Sequence, residues 1–337
     1  MTTYKEINGT NIEAVASDPS NPVDGQVWYN TTSNTVKGQR YLAAAWATGG
    51  NLNTARAYLA GMGTQTAALV TGGWAGSPTA DPSGDGLTES YNGSAWTEVG
   101  DLNTNRSQVG GAGVQTSAVV FGGNSGTTPS ATRNAVANNE SWNGSAWTEV
   151  GDLNTARRVM GNSGVSNTSV LAFVGDTSPG LVTLTELWNG TNWTEVNDAN
   201  TARSNVGSNG TQTSALLYGG YGPARSAQTE SWNGTNWTEV ADLGGARYGL
   251  RGAGENNTSA VAFGGESAPA GGYQVVTEVW NGSAWTEVAD LNTGTTILSG
   301  NGTGSSALAS GGFTGTVTVS TEEFTGGNPA TVTFDNS

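Results

Sequence analysis

Cysteine and histidine are both absent from the 337-residue chain. Without cysteine there can be no disulfide and no thiolate metal site, and the redox compartment leaves no mark. Without histidine the commonest general base and the usual zinc ligand are missing, and no Ser-His-Asp arrangement can form. Basic residues are scarce, 12 against 27 acidic, for a net charge of −15. A nucleic-acid partner needs a basic patch to displace counterions, and an anionic membrane surface attracts the same residues, so neither partner is expected. The acidity suits solubility, above all where salt screens charge. No apolar run approaches the roughly 18 residues of a membrane span. The N-terminus, Met1-Thr-Thr-Tyr-Lys-Glu-Ile-Asn-Gly9, lacks the charged-then-apolar order of a signal peptide, so the expected product is soluble, with no membrane insertion.

What the chain has in quantity is glycine, 52 residues, and repetition. The segment Thr88-Glu-Ser-Tyr-Asn-Gly-Ser-Ala-Trp-Thr-Glu-Val99 recurs almost unchanged at 139–150, 185–196, 229–240 and 277–288. Its second aromatic falls at Trp96, Trp147, Trp193, Trp237 and Trp285, in steps of 51, 46, 44 and 48 residues. A period of this length is that of a supersecondary unit stacked in an array, and four-stranded propeller blades have it. One array of this kind uses most of the chain as a single domain.

Each unit reads as four strands. The first opens on an arginine and is rich in Gly, Ala and Ser: 56–63, 106–113, 157–164, 203–210, 247–254 and a divergent 295–302. Small residues suit an innermost strand, where units converge. The second is a short apolar run ending in glycines, at 66–73, 116–123, 168–175, 213–220, 258–265 and 305–312. Such a run is that of a strand buried on both faces, and the terminal pair (Val174-Gly175 in the third copy) suits positive φ. The third and fourth strands form a hairpin about Asn-Gly at 92–93, 143–144, 189–190, 233–234 and 281–282, where both central residues tolerate positive φ. The same Asn-Gly-Ser/Thr triplets fit a glycosylation acceptor, but the turn accounts for them. Aromatics flank each turn: Tyr91 and Trp96, Trp142 and Trp147, Trp188 and Trp193, Trp232 and Trp237, Trp280 and Trp285. They read as glue between neighbouring units, with a row of sugar-stacking platforms as the alternative.

The arginine opening the first strand, the apolar run into Gly-Gly, and the aromatic followed by a later Trp resemble the kelch repeat over about 41–326. The aromatic-to-Trp step of 5 residues is slightly shorter than the kelch spacing, so the repeat is kelch-like. The resemblance implies a β-propeller whose first strands line a central channel. The fold class expected is therefore all-β, a six-bladed propeller of four-stranded antiparallel blades. The sequence offers seven fourth strands, counting 44–49 and 328–334, where six are needed. Trp46-Ala-Thr-Gly-Gly-Asn-Leu-Asn-Thr-Ala-Arg56 aligns without a gap on Trp96 to Arg106, so the N-terminal segment is expected to close the ring and remove its exposed edges. The tail, 327–337, then covers that edge or serves elsewhere.

Residues 1–40 are a different module. Pro19 and Pro22 mark an extended linker, and 26–37 reads as strand, turn and strand. This stretch is similar to the leader of tail-fibre and virion-associated proteins of bacterial viruses; an arm packed on the propeller is the plainer alternative.

An active site needs unequal residues converging on one place. Most acids here are periodic, one set at Glu89, Glu140, Glu186, Glu230, Glu278 and Glu322 and another at Glu98, Glu149, Glu195, Glu239 and Glu287. The first-strand arginines Arg56, Arg106, Arg157, Arg203 and Arg247 are expected to pair with one set in a structural ring around one mouth of the channel. Acids outside the pattern are Asp81, Asp85, Asp176, Glu255 and Glu266, and no spacing among them favours a glycosidase. Asp81-Pro-Ser-Gly-Asp85-Gly86 has calcium-loop residue types without the full signature, and a surface turn explains it. No catalytic residue, metal or cofactor is expected. The connections between second and third strands vary while all else repeats, and function lives in loops on a rigid frame. Trp74, Arg133, Tyr221, Arg225 and Tyr273 on those loops are the candidate binding residues. The expected function is a non-enzymatic virion protein (tail-fibre, receptor-binding or surface-decoration). Its partners would be other virion proteins or a host-surface glycan or protein, and homo-oligomers are compatible with it. A bacterial adhesin or lectin, and then a carbohydrate-active enzyme, are the alternatives.

Overall fold

The structure is a computed structural model that describes residues 12–20, 25–76, 84–125, 134–178, 180–268 and 272–334. All regular structure among these residues is β. The chain divides into two compact units, Met1–Ala44 with Gly326–Ser337, and Ala45–Thr325.

In the first unit Glu13–Val15 pairs parallel with Val27–Asn30, which pairs antiparallel with Thr35–Leu42. The strand-turn-strand reading of 26–37 holds in outline. Asn328–Phe334, one of the seven candidate fourth strands, pairs antiparallel with Val36–Leu42. The C-terminal segment is thus a strand of the N-terminal unit rather than a separate tail. Ahead of Pro19, the Asp18 carboxylate accepts from Lys37 Nζ, Asn30 Nδ2 and Trp28 Nε1. Those three donors, Lys37 first, hold its pKa at about 2.

Among the described residues the second unit contains six four-stranded antiparallel sheets and a two-stranded ribbon, Glu266–Ser267 with Gly272–Tyr273. The first sheet runs Ala60–Gly63, Ala68–Thr71, Thr88–Tyr91, Trp96–Glu98, each strand paired with the next. Four further sheets repeat this order. The last is built from Ser299–Gly302, Ser306–Ser310 and Thr321–Thr325, and its outer strand is Ala45–Thr48 from the other end of the chain. Trp46 there packs on Phe263 and Phe324, at 5.0 and 5.1 Å between ring centroids, and donates to Thr277 Oγ1.

The hairpin tryptophans pack between sheets rather than being displayed, buried in every copy except the half-buried Trp285. Across each hairpin the two aromatics lie 4.8–5.4 Å apart. The second of each pair also reaches the preceding sheet. Trp193 meets Phe121 edge-on, Trp237 meets Phe173, and Trp285 meets Tyr218. Its indole N–H donates to a threonine of that sheet: Trp147 to Thr88, Trp237 to Thr185, Trp285 to Thr229. The third sheet breaks this rule. Asn139 stands in the place of that threonine, and both Asn139 Oδ1 and Trp193 Nε1 are buried without a partner. Asn139→Thr is expected to raise stability by about 1 kcal/mol by giving the indole its acceptor, as a shift in the denaturant midpoint. An unchanged or lower midpoint would refute it.

Two local readings need correction. The first strands begin four residues later than expected, at Ala60 rather than Arg56. The third residue of each segment is left-handed: Tyr58, Gln108, Val159, Asn205, Gly249 and Ile297 have φ between 47° and 67°. A left-handed residue turns the chain and no strand can run through it, and for β-branched Val159 and Ile297 it is a costly conformation. The hairpin turn is also different. In Asn92-Gly93-Ser94-Ala95 only the glycine has positive φ, at 88°. Asn92 acts through its side chain, whose Oδ1 accepts from the N–H groups of Ser94 and Ala95.

The first strands are small-residued because aromatic rings lie over them. A Cβ on Gly161 would stand 2.3 Å from the Phe173 ring. Gly161→Ala is expected to cost about 1–3 kcal/mol by overpacking, read as a fall in denaturant midpoint; full retention of stability would refute the packing account.

Candidate functional site

None of the five arginines borders the cavities along the axis. Each is buried inside its own sheet and paired with the first glutamate set: Arg56–Glu89, Arg106–Glu140, Arg157–Glu186, Arg203–Glu230 and Arg247–Glu278, at 2.7–2.8 Å. The second nitrogen of Arg56, Nη1, donates to the carbonyls of Gly72 and Leu87. The other oxygen of Glu89 accepts from Asn53 N and Nδ2. Each pair therefore fastens the connection arriving from the previous sheet onto the next one. This is a frame, and burial pulls the arginines Arg56, Arg106, Arg157 and Arg203 below their ordinary pKa despite the glutamates. Glu98, Glu149, Glu195, Glu239 and Glu287 lie exposed on outer strands, outside this network.

At the start of the first strands the six left-handed residues are joined by backbone hydrogen bonds. Gln108 N donates to Tyr58 O, Val159 to Gln108, Asn205 to Val159, Gly249 to Asn205, Ile297 to Gly249, and Tyr58 to Ile297. The last bond returns to the first residue. Next to this cycle, on the side of the variable loops, lies a second circle. One residue before each left-handed position bridges the residue after the paired glycines: Ala57–Trp74, Ser107–Asn124, Arg158–Asp176, Ser204–Tyr221, Tyr248–Glu266 and Thr296–Phe313.

The second members of those pairs all differ from sheet to sheet, and the first members repeat only as Ser107 and Ser204, unlike the strands that carry them. Four of the candidate binding residues fall here or beside it. Tyr221 is 43% exposed and meets Tyr248 edge-on at 5.7 Å. Arg225 lies over the Tyr248 ring at 5.2 Å and pairs with Glu266 at 3.0 Å. Tyr273 meets Phe313 at 5.8 Å, whereas Trp74 is half-buried and paired to Ala57. Arg133 and Asp81 lie outside the described residues. Sequence reasoning left out Tyr248, Arg158 and Phe313. Arg158 pairs with Asp176 and donates to Gln108 Oε1. The signal that finds them is a pair of columns in the repeat alignment where the copies disagree: no two agree in the column of Phe313, and only Ser107 and Ser204 agree in the column of Tyr248 and Arg158.

Tyr248 donates to Glu266 Oε2 at 2.8 Å. Burial, then this bond, pushes its pKa up to about 12. A raised pKa favours the protonated phenol in the fold, so its contribution is present below the ordinary tyrosine range and lost as pH rises through about 12. Ultraviolet titration of the phenolates should show a component missing from Tyr248→Phe and titrating near that pH; if Tyr248→Phe removes a component near pH 10 instead, the assignment fails.

At the opposite end of the first strands the axis opens into a cavity of about 250 Å³ bordered by Thr64, Val114, Val165, Glu255 and Thr303. Deeper in lies a chamber of about 40 Å³. Among the described residues no three acids are placed to hold a metal ion, and no helix is long and apolar enough to cross a membrane.

No family model and no curated protein matches the chain. The solved structure of YjhT resembles it at a TM-score of 0.68 and 13% identity, over 83% of this chain and 99% of that one. At that identity the likeness establishes the fold alone: four-stranded antiparallel sheets arrayed as a β-propeller.

Proposed function

We propose that residues 45–325 are a six-bladed, kelch-like propeller closed by the strand Ala45–Thr48, and that it serves as a non-enzymatic recognition module of a virus particle. The pairing of that strand with Thr321–Thr325, and the hydrogen-bond cycle through six sheets, support the closed ring. The single observation that carries the recognition role is the contrast between frame and face. Ion pairs, tryptophans and hairpins repeat almost unaltered, while the circle from Trp74 to Phe313 changes at every step. A frame held constant under a varied face is how a rigid scaffold carries function in its loops. Exposed Tyr221 beside Arg225 supplies an aromatic surface and a cation, suited to a host-surface glycan or protein. The N-terminal unit, by its likeness to virion leaders, would attach the module to the particle.

Two measurements test this. Mass spectrometry of purified particles from the source of this chain should find it at stoichiometric copy number; its absence from particles refutes the virion role. Surface or glycan-array binding should fall at least tenfold in Tyr221→Ala with Arg225→Ala, with the melting temperature within about 2 °C of the parent. Undiminished binding in that variant refutes the face.

A further inference from the structure

The repeat also breaks at one place inside the channel. The fifth residue of each first-strand segment is Ala60, Gly110, Gly161, Gly207, Arg251 or Ser299. Five are small, and one is a guanidinium. The side chain of Arg251 borders the inner chamber, where its Nη1 donates to the carbonyls of Val206 and Leu250. It forms no ion pair among the described residues, whereas the five first-strand arginines all do. It is half-buried and borders the chamber. Burial draws its pKa down to about 10, so it is cationic at neutral pH, and among the described residues the phenols of Tyr58 and Tyr218 are the titratable groups that act on it.

The polar departures gather on the same side. The sixth residue of the segment is glycine in four sheets but Asn162 and Ser208 in the third and fourth, and both border the chamber beside Arg251. Ser208 Oγ accepts from Asn162 N, which leaves its own hydroxyl hydrogen free to donate. In the fourth sheet Tyr218 stands where the second, third and fifth carry Phe121, Phe173 and Phe263. Its hydroxyl is buried without a partner against Gly252, the residue after Arg251. Arg251, Asn162 and Ser208 thus border one chamber, with Ser299 also on its wall and the Tyr218 hydroxyl against Gly252. A partly buried, unpaired cation is costly unless something neutralises it. The chamber, at about 40 Å³, has room for about three water-sized groups.

We infer that the inner chamber binds a small monovalent anion, of chloride or formate size, held by the Arg251 guanidinium with the Ser208 hydroxyl as second donor. Sulfate and phosphate would leave a negative charge uncompensated in the chamber, which is costly. The anion comes from the mouth bordered by Val114 and Val165, because the hydrogen-bond cycle spans the other end of the first strands.

The test is Arg251→Ser, which restores a residue the repeat already uses at Ser299 and so leaves the frame intact. Melting temperatures of both chains are followed from 1 mM to 1 M sodium chloride, with sodium sulfate at matched ionic strength to remove general salt effects. The gap between the parent and Arg251→Ser should widen by roughly 2 °C or more per tenfold rise in chloride and stay constant in sulfate. Crystals soaked in bromide should show an anomalous peak within hydrogen-bond reach of Arg251 in the parent and none there in the variant. A chloride response equal in both chains, no response in either, or a chamber without bromide would each overturn the proposal.

Discussion

A chain lacking residues 1–50 is expected to melt at least roughly 10 °C below the parent and to aggregate. The deletion removes the outer strand Ala45–Thr48 from the sheet that ends in Thr321–Thr325. It also removes Trp46, which is 8% exposed and packs on Phe263 of the fifth sheet and Phe324 of the sixth. Loss of one such side chain costs about 3–5 kcal/mol. The backbone edge of Thr321–Thr325 then lies open, and an unpaired edge templates association between chains. The deletion also unpairs Asn328–Phe334, so the control is residues 41–327, which keep the closing strand and lose the N-terminal unit. That control should melt close to the parent. A peptide spanning residues 41–56 added to the truncated chain should restore part of the lost stability by strand addition. If 51–337 melts with the parent, the closing strand contributes nothing and the ring account of this fold is wrong.

The second large effect concerns the buried ion pairs. Arg106→Met is expected to cost about 3–5 kcal/mol, because it strands the Glu140 carboxylate in a fully enclosed site. Glu140 keeps its bonds to Asn103 N and Nδ2, so the connection it fastens does not come free altogether. Arg106→Met with Glu140→Gln removes both charges, and should cost clearly less than the sum of the two single changes. Urea or guanidinium midpoints of the four chains complete the cycle. Additive costs, or a single substitution within about 0.5 kcal/mol of the parent, would mean that the pair is screened by solvent after all.

The repeat made the sheets legible, because period and composition both point to four strands per unit and the Asn-Gly turns mark every hairpin. The alignment of Trp46 to Arg56 with Trp96 to Arg106 placed the strand that pairs with the far end of the unit. What escaped was conformational. A left-handed residue is announced by glycine only at Gly249; Tyr58, Gln108, Val159, Asn205 and Ile297 carry no such mark, so the first strands read four residues too long. The partner of the arginines was open between two glutamate sets, since both recur with the same period. Exposure decides it: Glu89 lies on an inner strand beside its sheet's arginine, and Glu98 on the outer edge. The candidate face was half legible. Loop variability pointed to Tyr221, Arg225 and Tyr273, but Tyr248 and Arg158 lie within the conserved segment and show only when the copies are aligned column by column. Arg251 was visible by the same comparison, as the one charge in a column of small residues.

The cycle of six backbone bonds has an evolutionary corollary. An open stack of repeats can gain or lose a unit at its end with little disturbance, and its length drifts freely. Here every unit hands a bond to its neighbour and receives one in turn, through a residue held at a fixed, strained twist. Duplicating one unit would change the turn required at every junction at once. The number of repeats is therefore expected to stay fixed, with diversification falling on single residues and on the lengths of the connecting loops.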